Sequence, residues 1–302
     1  MTQTMTTPVE PEDALTQPFP AVGRRPGVKR RNKNDRIPLW LSVIAVVVAV
    51  YFVIPTLFVI PMSFSEARTF VFPPVGFTLD LYRDFFTPSP NASTSWIGSL
   101  GNSVLVALLT TIVATTLGTA AALGLDRLTG RLGGFARTLL MLPLVAPSIV
   151  IAVDVYMMFL QWRLVGTLQG YVLAHSVIAL PFVLVSVTAA LSSFDRGLLR
   201  AAAALGASPT RAFITVTMPL ISRGILTGAI FAFVTSFDEV VVALFIRSPQ
   251  FQTLPVLMYN SVTAEIDPTL SAASSLIVVV VTMVFLLPQI FGFVRRHRKA
   301  KK

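Results

Sequence analysis

Six long apolar segments constrain the fold of this chain more than any other feature of its sequence. They occupy residues 39–62, 103–125, 138–161, 171–191, 221–246 and 270–294. At about 1.5 Å per helical residue, each segment is long enough to cross the roughly 30 Å of hydrocarbon in a bilayer. Hydrocarbon offers no partner to a backbone N–H or C=O group, so each segment must pair its own groups and is predicted to be a helix. We expect an all-α fold, an integral membrane bundle of six helices.

The basic residues predict how this bundle is oriented. Of the 24 Lys and Arg residues, 20 precede the first segment, follow the last one, or lie in the loops 126–137 and 196–223. Cytoplasmic loops of membrane proteins carry such an excess of positive charge. Both termini and both basic loops are therefore predicted to be cytoplasmic.

The two ends of the chain are predicted to be polar tails around one membrane domain. Residues 1–36 combine Thr, Pro, Glu and Gln with the basic run RRPGVKRRNKNDR and contain no apolar segment, which is typical of disorder. We interpret the basic run as an anchor for lipid headgroups rather than as a specific partner site. The membrane domain is assigned to residues 37–294, and residues 295–302 are assigned to a second basic cytoplasmic tail.

Several function classes are disfavoured by what the sequence lacks. The chain contains no cysteine, which excludes disulfides, thiolate metal sites and cysteine catalysis. Its formal net charge is +10, but it lacks the aromatic interleaving of a nucleic-acid binder, so no nucleic-acid partner is expected. No phosphate-binding loop, hydrolase motif or cluster of metal ligands stands out. We therefore expect no enzyme, and no cofactor or metal bound to this chain.

A polar segment, which we call the knob, comprises residues 195–219 between the fourth and fifth apolar segments. Asp195 and Ser208 are predicted to be helix N-caps, and Gly206 is predicted to end the first of two short helices in a left-handed conformation. Small alanines and the ring of Phe213 suit such a knob to docking into a cleft of a partner protein.

The knob resembles the cytoplasmic loop of permease subunits of ABC importers with the type I fold. That loop reads roughly Glu-Ala-Ala, three residues, Gly, about nine residues, a hydrophobic residue and Leu-Pro. The matching positions here are Ala201, Ala202, Leu205, Gly206, Ala207, Ser208, Phe213 and Pro219. Arg200 stands in the place of the glutamate and Met218 in that of the leucine. Arg200 must therefore make a different contact from the one that the glutamate makes at the start of this loop in the family.

Three further runs narrow the resemblance to spermidine/putrescine-type permeases. They are SFDEVVVALF at residues 236–245, NSVLVA at 102–107 and FPPVGFTLDLY at 72–82. The resemblance covers the chain from residue 40 to about residue 294. It implies a permease subunit of an ATP-driven importer in a bacterial inner membrane, with a polyamine or related amine as the solute.

The resemblance also implies partners. A permease of this kind pairs with a homologous second permease, rests on two copies of an ATP-binding subunit and receives solute from an external binding protein, within membrane lipid. ATP and Mg²⁺ then bind in the ATP-binding subunit. The residues implied at the interface with that subunit are Arg200, Ala201, Ala202, Leu205, Gly206, Ala207, Ser208 and Phe213.

Three acidic side chains inside apolar segments are candidates for the solute pathway. Asp238 and Glu239 are adjacent in the fifth segment, and Asp154 lies in the third. An ionised group in hydrocarbon is costly unless it faces a cavity or a charged partner, so intramembrane acids mark functional sites by default. Adjacent residues on a helix diverge by about 100°. One of Asp238 and Glu239 is therefore expected to face the pathway and the other a neighbouring helix.

Other interpretations of these acids stay open at this point. An ion pair or a capping bond at a broken helix is the alternative for Asp238 and Glu239, and a position at the headgroup boundary is the alternative for Asp154. His175 is predicted to cap or pack rather than to relay protons. The alternative function is a self-sufficient cation channel or secondary carrier that uses the three acids. The knob disfavours it, because a gradient-driven carrier needs no docking site for an ATPase.

Local features of the apolar segments predict packing and bending. Gly118 and Ala122 are four residues apart in the second segment, which predicts a close approach between helices. Pro143, Pro147 and Pro181 predict helix bends.

The connection between the first two segments is predicted to form a cap on the outer side of the membrane. Its aromatic residues, between positions 63 and 102, suit an interfacial helix. Asn102 and Ser103 are predicted to cap the helix of the second segment.

Overall fold

The computed structural model describes residues 38–67, 69–88, 95–193, 195–264 and 266–300. Within these ranges the regular structure is helical, apart from an isolated β-bridge between Ser248 and Phe251. The helices are α1 (Leu39–Met62), α2 (Asp80–Phe86), α3 (Trp96–Arg127), α4 (Gly130–Val145), α5 (Ser148–Trp162), α6 (Leu168–Ser192), α7 (Gly197–Ala204), α8 (Pro209–Ala212), α9 (Met218–Phe237), α10 (Val241–Ile246), α11 (Leu254–Thr263) and α12 (Thr269–Ala300). The predicted all-α class is confirmed for the described residues.

The chain divides into two units. The first, residues 1–53, is described from residue 38 and contains the first part of α1. The second, residues 54–302, contains the end of α1 and the other helices. The predicted tail 1–36 lies outside the described residues. Helix α12 continues to Ala300, beyond the predicted end of the membrane domain at residue 294.

Four helical stretches in the described ranges are long and apolar enough to cross a membrane. They are α1, α3, α6 and the continuous stretch Pro209–Phe237, which includes α8 and α9. The pair α4 and α5 qualifies jointly as a fifth span. In α12 the apolar part that the structure describes is shorter, Thr269–Met283. A membrane bundle is therefore confirmed at four to five spans of the six predicted.

The third predicted span is bent by 102° between α4 and α5. Ala146 is extended, with ψ of 138°, and Pro147 is the residue that precedes α5. Proline disfavours the helical conformation in the residue before it, and the extended Ala146 ends α4. Pro143 and Pro181 lie instead inside α4 and α6. The bend predicted at Pro147 is therefore confirmed, and the apolar segment 138–161 is two helices rather than one, because hydropathy measures apolar length and not backbone continuity.

Helices α3, α6 and α9 pack closely around Val183 of α6. A Cβ atom on Gly118 of α3 would lie 2.8 Å from the Cβ of Val183, and one on Gly228 of α9 would lie 3.0 Å from its Cα. A side chain at Gly118 would therefore require the helices to shift, and one at Gly228 would be tightly packed, as is typical of small residues between close helices. Ala122 is also buried, so the close contact predicted from Gly118 and Ala122 is confirmed.

Asn102 and Ser103 lie inside α3, whose N-cap is Ser95. Their predicted role as caps of α3 is therefore wrong. The Asn102 amide donates to the carbonyl oxygen of Gln252 at 3.0 Å, and the Ser103 hydroxyl accepts from the backbone N–H of Leu254 at 2.7 Å. Leu254 begins α11, so Ser103 caps a helix that begins 151 residues further along the chain rather than its own.

Candidate functional site

The knob turns at Gly206. Helix α7 ends at Ala204, and Gly206 adopts a φ of +81°. The Gly206 N–H donates to the carbonyl of Ala203 at 3.0 Å, and the Ala207 N–H donates to the carbonyl of Ala202 at 3.0 Å. This pair of bonds is a Schellman motif, whose left-handed residue is usually glycine. The predicted turn at Gly206 is confirmed.

Ser208 starts the second half of the knob. Its hydroxyl accepts from the backbone N–H of Arg211 at 3.4 Å, and Pro209 follows as the first residue of α8. The predicted cap at Ser208 is confirmed. Helix α8 then continues through a π-helical turn, Phe213–Thr217, into α9. The second half of the knob is therefore the start of a membrane-spanning helix rather than a separate short helix.

The base of the knob is connected to the end of α3. The Asp195 carboxylate accepts from the Gly197 N–H at 2.7 Å. The residue directly before α7 is Arg196, so the predicted N-cap lies one position too early. The Arg196 guanidinium donates to the Asp126 carboxylate of α3 at 2.9 Å. Both side chains of this ion pair are exposed, so it adds about 1 kcal/mol at most.

The knob presents small side chains, a leucine and a cation on its surface. Leu205 is 89% exposed. Arg200, Ala201, Gly206 and Ser208 are exposed as well, and Ala202, Ala207 and Phe213 are half-buried. Among the described residues, Arg200 has no ion-pair partner. The small residues around Leu205 allow the surface of another protein to approach it closely.

The fifth predicted span is broken at its two acids. Helix α9 ends at Phe237, Asp238 is its C-cap, and α10 begins at Val241. The Glu239 carboxylate accepts from the backbone N–H of Val242 at 2.9 Å and so caps α10. Glu239 is half-buried, and Asp238 is exposed. Of the two acids, Glu239 therefore forms the capping bond that was one of the open alternatives.

Helix α6 holds this break from both sides. Nδ1 of His175 lies 2.9 Å from the hydroxyl oxygen of Ser236, which precedes the break. One turn earlier on α6, the Tyr171 hydroxyl lies 3.4 Å from two carbonyl oxygens, those of Ala243, which follows the break, and of Phe251, and can donate to either. Tyr171 and His175 are both buried, and their spacing of four residues puts them on one face of α6. We call these two contacts the α6 clamp.

Asp154 lies on α5, which packs against α10. The side chains that α5 buries are Ala152, Val155 and Phe159. Asp154 is exposed, and the neighbouring Tyr156 ring lies 6.4 Å from the ring of Phe245 on α10. The structure therefore brings the helix that carries Asp154 next to the break that carries Asp238. Both carboxylates lie on the surface of the chain.

A surface groove on α6 lies apart from these acids. A groove of about 280 Å³ between α4 and α6 includes Arg137, Met141, Leu184 and Thr188. These positions lie on the half of α6 that is remote from the α6 clamp. In the part of the chain that the structure describes, no three His, Asp or Glu side chains are placed to hold a metal ion. Of the three acids, Asp154 and Asp238 lie on the surface, whereas the half-buried Glu239 caps α10.

The sequence interpretation missed the α6 clamp. Ser236 and Ala243 bond to α6 from opposite sides of a break that hydropathy does not reveal. The available signal was the spacing of Tyr171 and His175, which places two side chains with hydrogen-bonding groups one turn apart on the same face of a largely apolar helix.

Comparison with protein families gives one match over most of the membrane region. Residues 114–297 match the family described as "Binding-protein-dependent transport system inner membrane component". The matched region includes the knob, the three acids and the α6 clamp.

Two relatives from Escherichia coli (strain K12) illustrate the similarity. The "Putrescine transport system permease protein PotI" is 32% identical over 204 residues, which is 61% of this chain and 72% of that protein. The "Spermidine/putrescine transport system permease protein PotC" is 28% identical over 245 residues, which is 80% of this chain and 89% of that protein.

A solved structure shares the fold. It is described as "Crystal structure of a bacterial ABC transporter involved in the import of the acidic polysaccharide alginate", and the matched chain gives a TM-score of 0.64. The match covers 82% of this chain and 92% of that chain at 14% sequence identity. The likeness therefore concerns the arrangement of helices.

Proposed function

The chain belongs to the family of binding-protein-dependent transport system inner membrane components, and we propose that it is the permease subunit of an ATP-driven importer for a polyamine or related amine. In this role the chain couples ATP hydrolysis in a partner subunit to alternating access across the bacterial inner membrane. The two states differ in which side of the membrane reaches the solute pathway, and the partner biases the equilibrium between them.

The observation that carries this proposal is the geometry of the knob. Its turn at Gly206 and its cap at Ser208 stand in register with the family's cytoplasmic loop. Because α8 runs without interruption into α9, a displacement of the knob by a docked subunit is passed directly to a membrane-spanning helix. Arg200 gives this docking surface a positive charge where the family has a carboxylate.

The distribution of Lys and Arg along the chain supports six membrane crossings with both termini in the cytoplasm. If the bent pair α4 and α5 crosses the membrane once, four crossings precede the knob, and it lies on the same side as the N-terminal basic run. The 20 basic residues of the termini and basic loops then share one side. If the pair returned to the side from which it entered, these charges would be divided between the two sides. The positive-inside rule therefore favours one crossing.

The exposed acids support an amine as the solute. Asp154 and Asp238 lie on neighbouring elements, and a cationic solute offsets the cost of carboxylates within the membrane. Glu239 is engaged in the cap of α10, so we assign solute contact to Asp154 and Asp238 and assign to Glu239 the role of shaping the break. The relatives PotI and PotC are named for putrescine and spermidine transport.

The surface position of the acids also supports a pathway completed by a second, homologous permease. We propose that two ATP-binding subunits dock at the knobs of this pair, and that an external binding protein delivers the solute. ATP and Mg²⁺ bind in the ATP-binding subunits, because this sequence has no phosphate-binding loop. Lipid surrounds the assembled permease pair.

Reconstitution into liposomes tests the proposal. The complex of this chain with its partner subunits should accumulate radiolabelled putrescine only when ATP is present on the knob side and binding protein on the other side. Asp238→Asn should lower this uptake, whereas Asp80→Asn, in an exposed acid of α2 outside the spans, should not. The chain purified alone should show neither ATP hydrolysis nor flux.

Either activity in the isolated chain would refute the proposal. Gradient-driven putrescine flux without partners would favour the self-sufficient channel or carrier. Appreciable ATP hydrolysis without partners would show that the energy source lies in this chain.

A further inference from the structure

The polypeptide between α1 and α2 folds back beside the end of α1. The Glu66 N–H donates to the carbonyl of Val75 at 2.9 Å, and the Thr78 N–H donates to the carbonyl of Phe64 at 2.8 Å. These two bonds tether residues 70–79, which we call the apolar loop, to the residues that directly follow α1.

The apolar loop exposes a row of large side chains. They are between 43% and 79% exposed: Phe70, Val71, Phe72, Val75, Phe77 and Leu79. Phe77 is at the upper end of this range. On α2, Leu81 and Phe85 are buried, Asp80 and Arg83 are exposed, and Phe86 is the one large apolar side chain that is exposed, at 55%. The exposed apolar surface is therefore concentrated in the loop.

Other aromatic residues of this connection are packed inward. Phe85 and Trp96 are buried, with ring centroids 6.2 Å apart. The Tyr82 hydroxyl lies 2.7 Å from the hydroxyl oxygen of Ser63. Of the aromatic residues predicted to form an interfacial helix, α2 buries Phe85 and exposes Phe86, and the preceding loop carries the larger share of the exposed apolar side chains.

The position of Phe72 sets the depth of the loop relative to α1. Its ring packs edge-on against the ring of Phe58, with centroids 4.9 Å apart and an interplanar angle of 74°. Phe58 is four residues before the end of α1 at Met62, which corresponds to about 6 Å along the helix axis. The loop therefore returns along the last turn of a membrane-spanning helix instead of projecting away from it.

We propose that the apolar loop is seated in lipid at the bilayer interface, as a second anchor beside α1. Aromatic side chains favour the headgroup region, and burial of apolar surface at the boundary between headgroups and acyl chains provides the driving force. The exposed ring of Phe72 extends the lipid-facing surface of α1 that includes Phe58. This anchor is independent of the solute and of the coupling to ATP.

A soluble protein is the competing occupant of the apolar loop. A soluble protein can dock on Phe72 only if the ring is exposed to water outside the lipid. Its partner ring, Phe58, lies within the span, about one helical turn from its end. The shared depth of the two rings therefore favours lipid over a soluble partner.

Spin labelling of single cysteines tests whether the apolar loop lies in the lipid. The chain contains no cysteine, so Val75→Cys and Phe77→Cys each place a nitroxide at one position of the full-length chain. Asp80→Cys, at an exposed charged position of α2, is the matched control. In nanodiscs of phosphatidylethanolamine and phosphatidylglycerol, the collision rates with oxygen and with a water-soluble nickel complex report the depth of each label.

We expect the labels at positions 75 and 77 to lie about 5–10 Å below the headgroup surface, with oxygen collisions exceeding nickel collisions. The label at position 80 should show the opposite preference. Equal access of nickel to positions 77 and 80 would overturn the proposal, because the loop then projects into water, as a docking surface for a soluble protein would. Protection of position 77 from both reagents would also overturn it, since that pattern indicates contact with protein. Two labelled positions keep the test decisive if one variant misfolds.

Discussion

Replacement of Gly206 by valine tests the turn of the knob without introducing a steric clash. Gly206 has a φ of +81°, and a Cβ atom there would meet no other atom within 4 Å. The substitution therefore adds backbone strain alone. A left-handed residue with a Cβ costs about 1–2 kcal/mol, which corresponds to a shift of roughly 5- to 30-fold in the equilibrium between the turned and unturned knob.

Gly130 provides a matched control for this strain. It has a φ of +76° and equally open space where a Cβ atom would stand, but it begins α4, outside the knob. Gly130→Val should therefore carry similar strain without altering the knob. Gly206→Asn should be milder than Gly206→Val, because asparagine tolerates the left-handed conformation better than a β-branched residue does.

The assay is the number of putrescine molecules transported per ATP hydrolysed by the reconstituted complex. Gly206→Val should lower this ratio, and the roughly 5- to 30-fold shift in the turn equilibrium is the upper limit of the loss. Gly130→Val should leave the ratio unchanged. Equal losses at the two glycines would refute the reasoning, because general strain would then explain the effect, and so would full coupling in Gly206→Val.

Three further predictions concern the membrane core and are measured by thermal unfolding in detergent. Gly118→Val should lower the unfolding temperature more than Gly124→Val, because a Cβ at position 118 would lie 2.8 Å from an α6 side chain whereas position 124 has open space; equal temperatures would contradict the close packing. Ser236→Ala leaves the buried Nδ1 of His175 unpaired and should cost about 1–3 kcal/mol. Glu239→Ala removes the cap of α10 and should cost about 0.5–2 kcal/mol, whereas Glu239→Gln keeps an acceptor oxygen and should cost less. A stability of Glu239→Ala equal to that of the glutamine variant would show that the cap contributes nothing.

Features that depend on local sequence were predictable. The first apolar segment, 39–62, coincides with α1, and 171–191 lies within α6, because membrane thickness determines both the apolar run and the helix length. The turn at Gly206 and the cap at Ser208 could also be predicted from the sequence, because each depends on a single residue type at a helix end.

Features that depend on distant contacts or on backbone continuity were not predictable from apolar length. A break at Asp238 leaves the hydropathy of its neighbours unchanged, so 221–246 resembled one helix. Ser103 has the sequence context of an N-cap, but its partner, Leu254, is brought near only by the fold. The bend before α5 carried a local signal in Pro147, although proline also occurs inside α4 and α6 without ending either helix.

The exposed carboxylates of Asp154 and Asp238 are expected to influence the amount of this protein that is present in the cell membrane. A single acid at the centre of a membrane helix costs up to about 3.5 kcal/mol in lipid, and the lone chain presents two acids on its surface. In the proposed pair of permeases, the second subunit covers these carboxylates and reduces that cost, so assembly stabilises the chain in the bilayer and leaves unpaired copies less stable. Under the proposed function, the steady-state amount of this subunit is therefore expected to follow the supply of its partner, and the two carboxylates proposed to contact the solute also make the lone subunit less stable in the membrane.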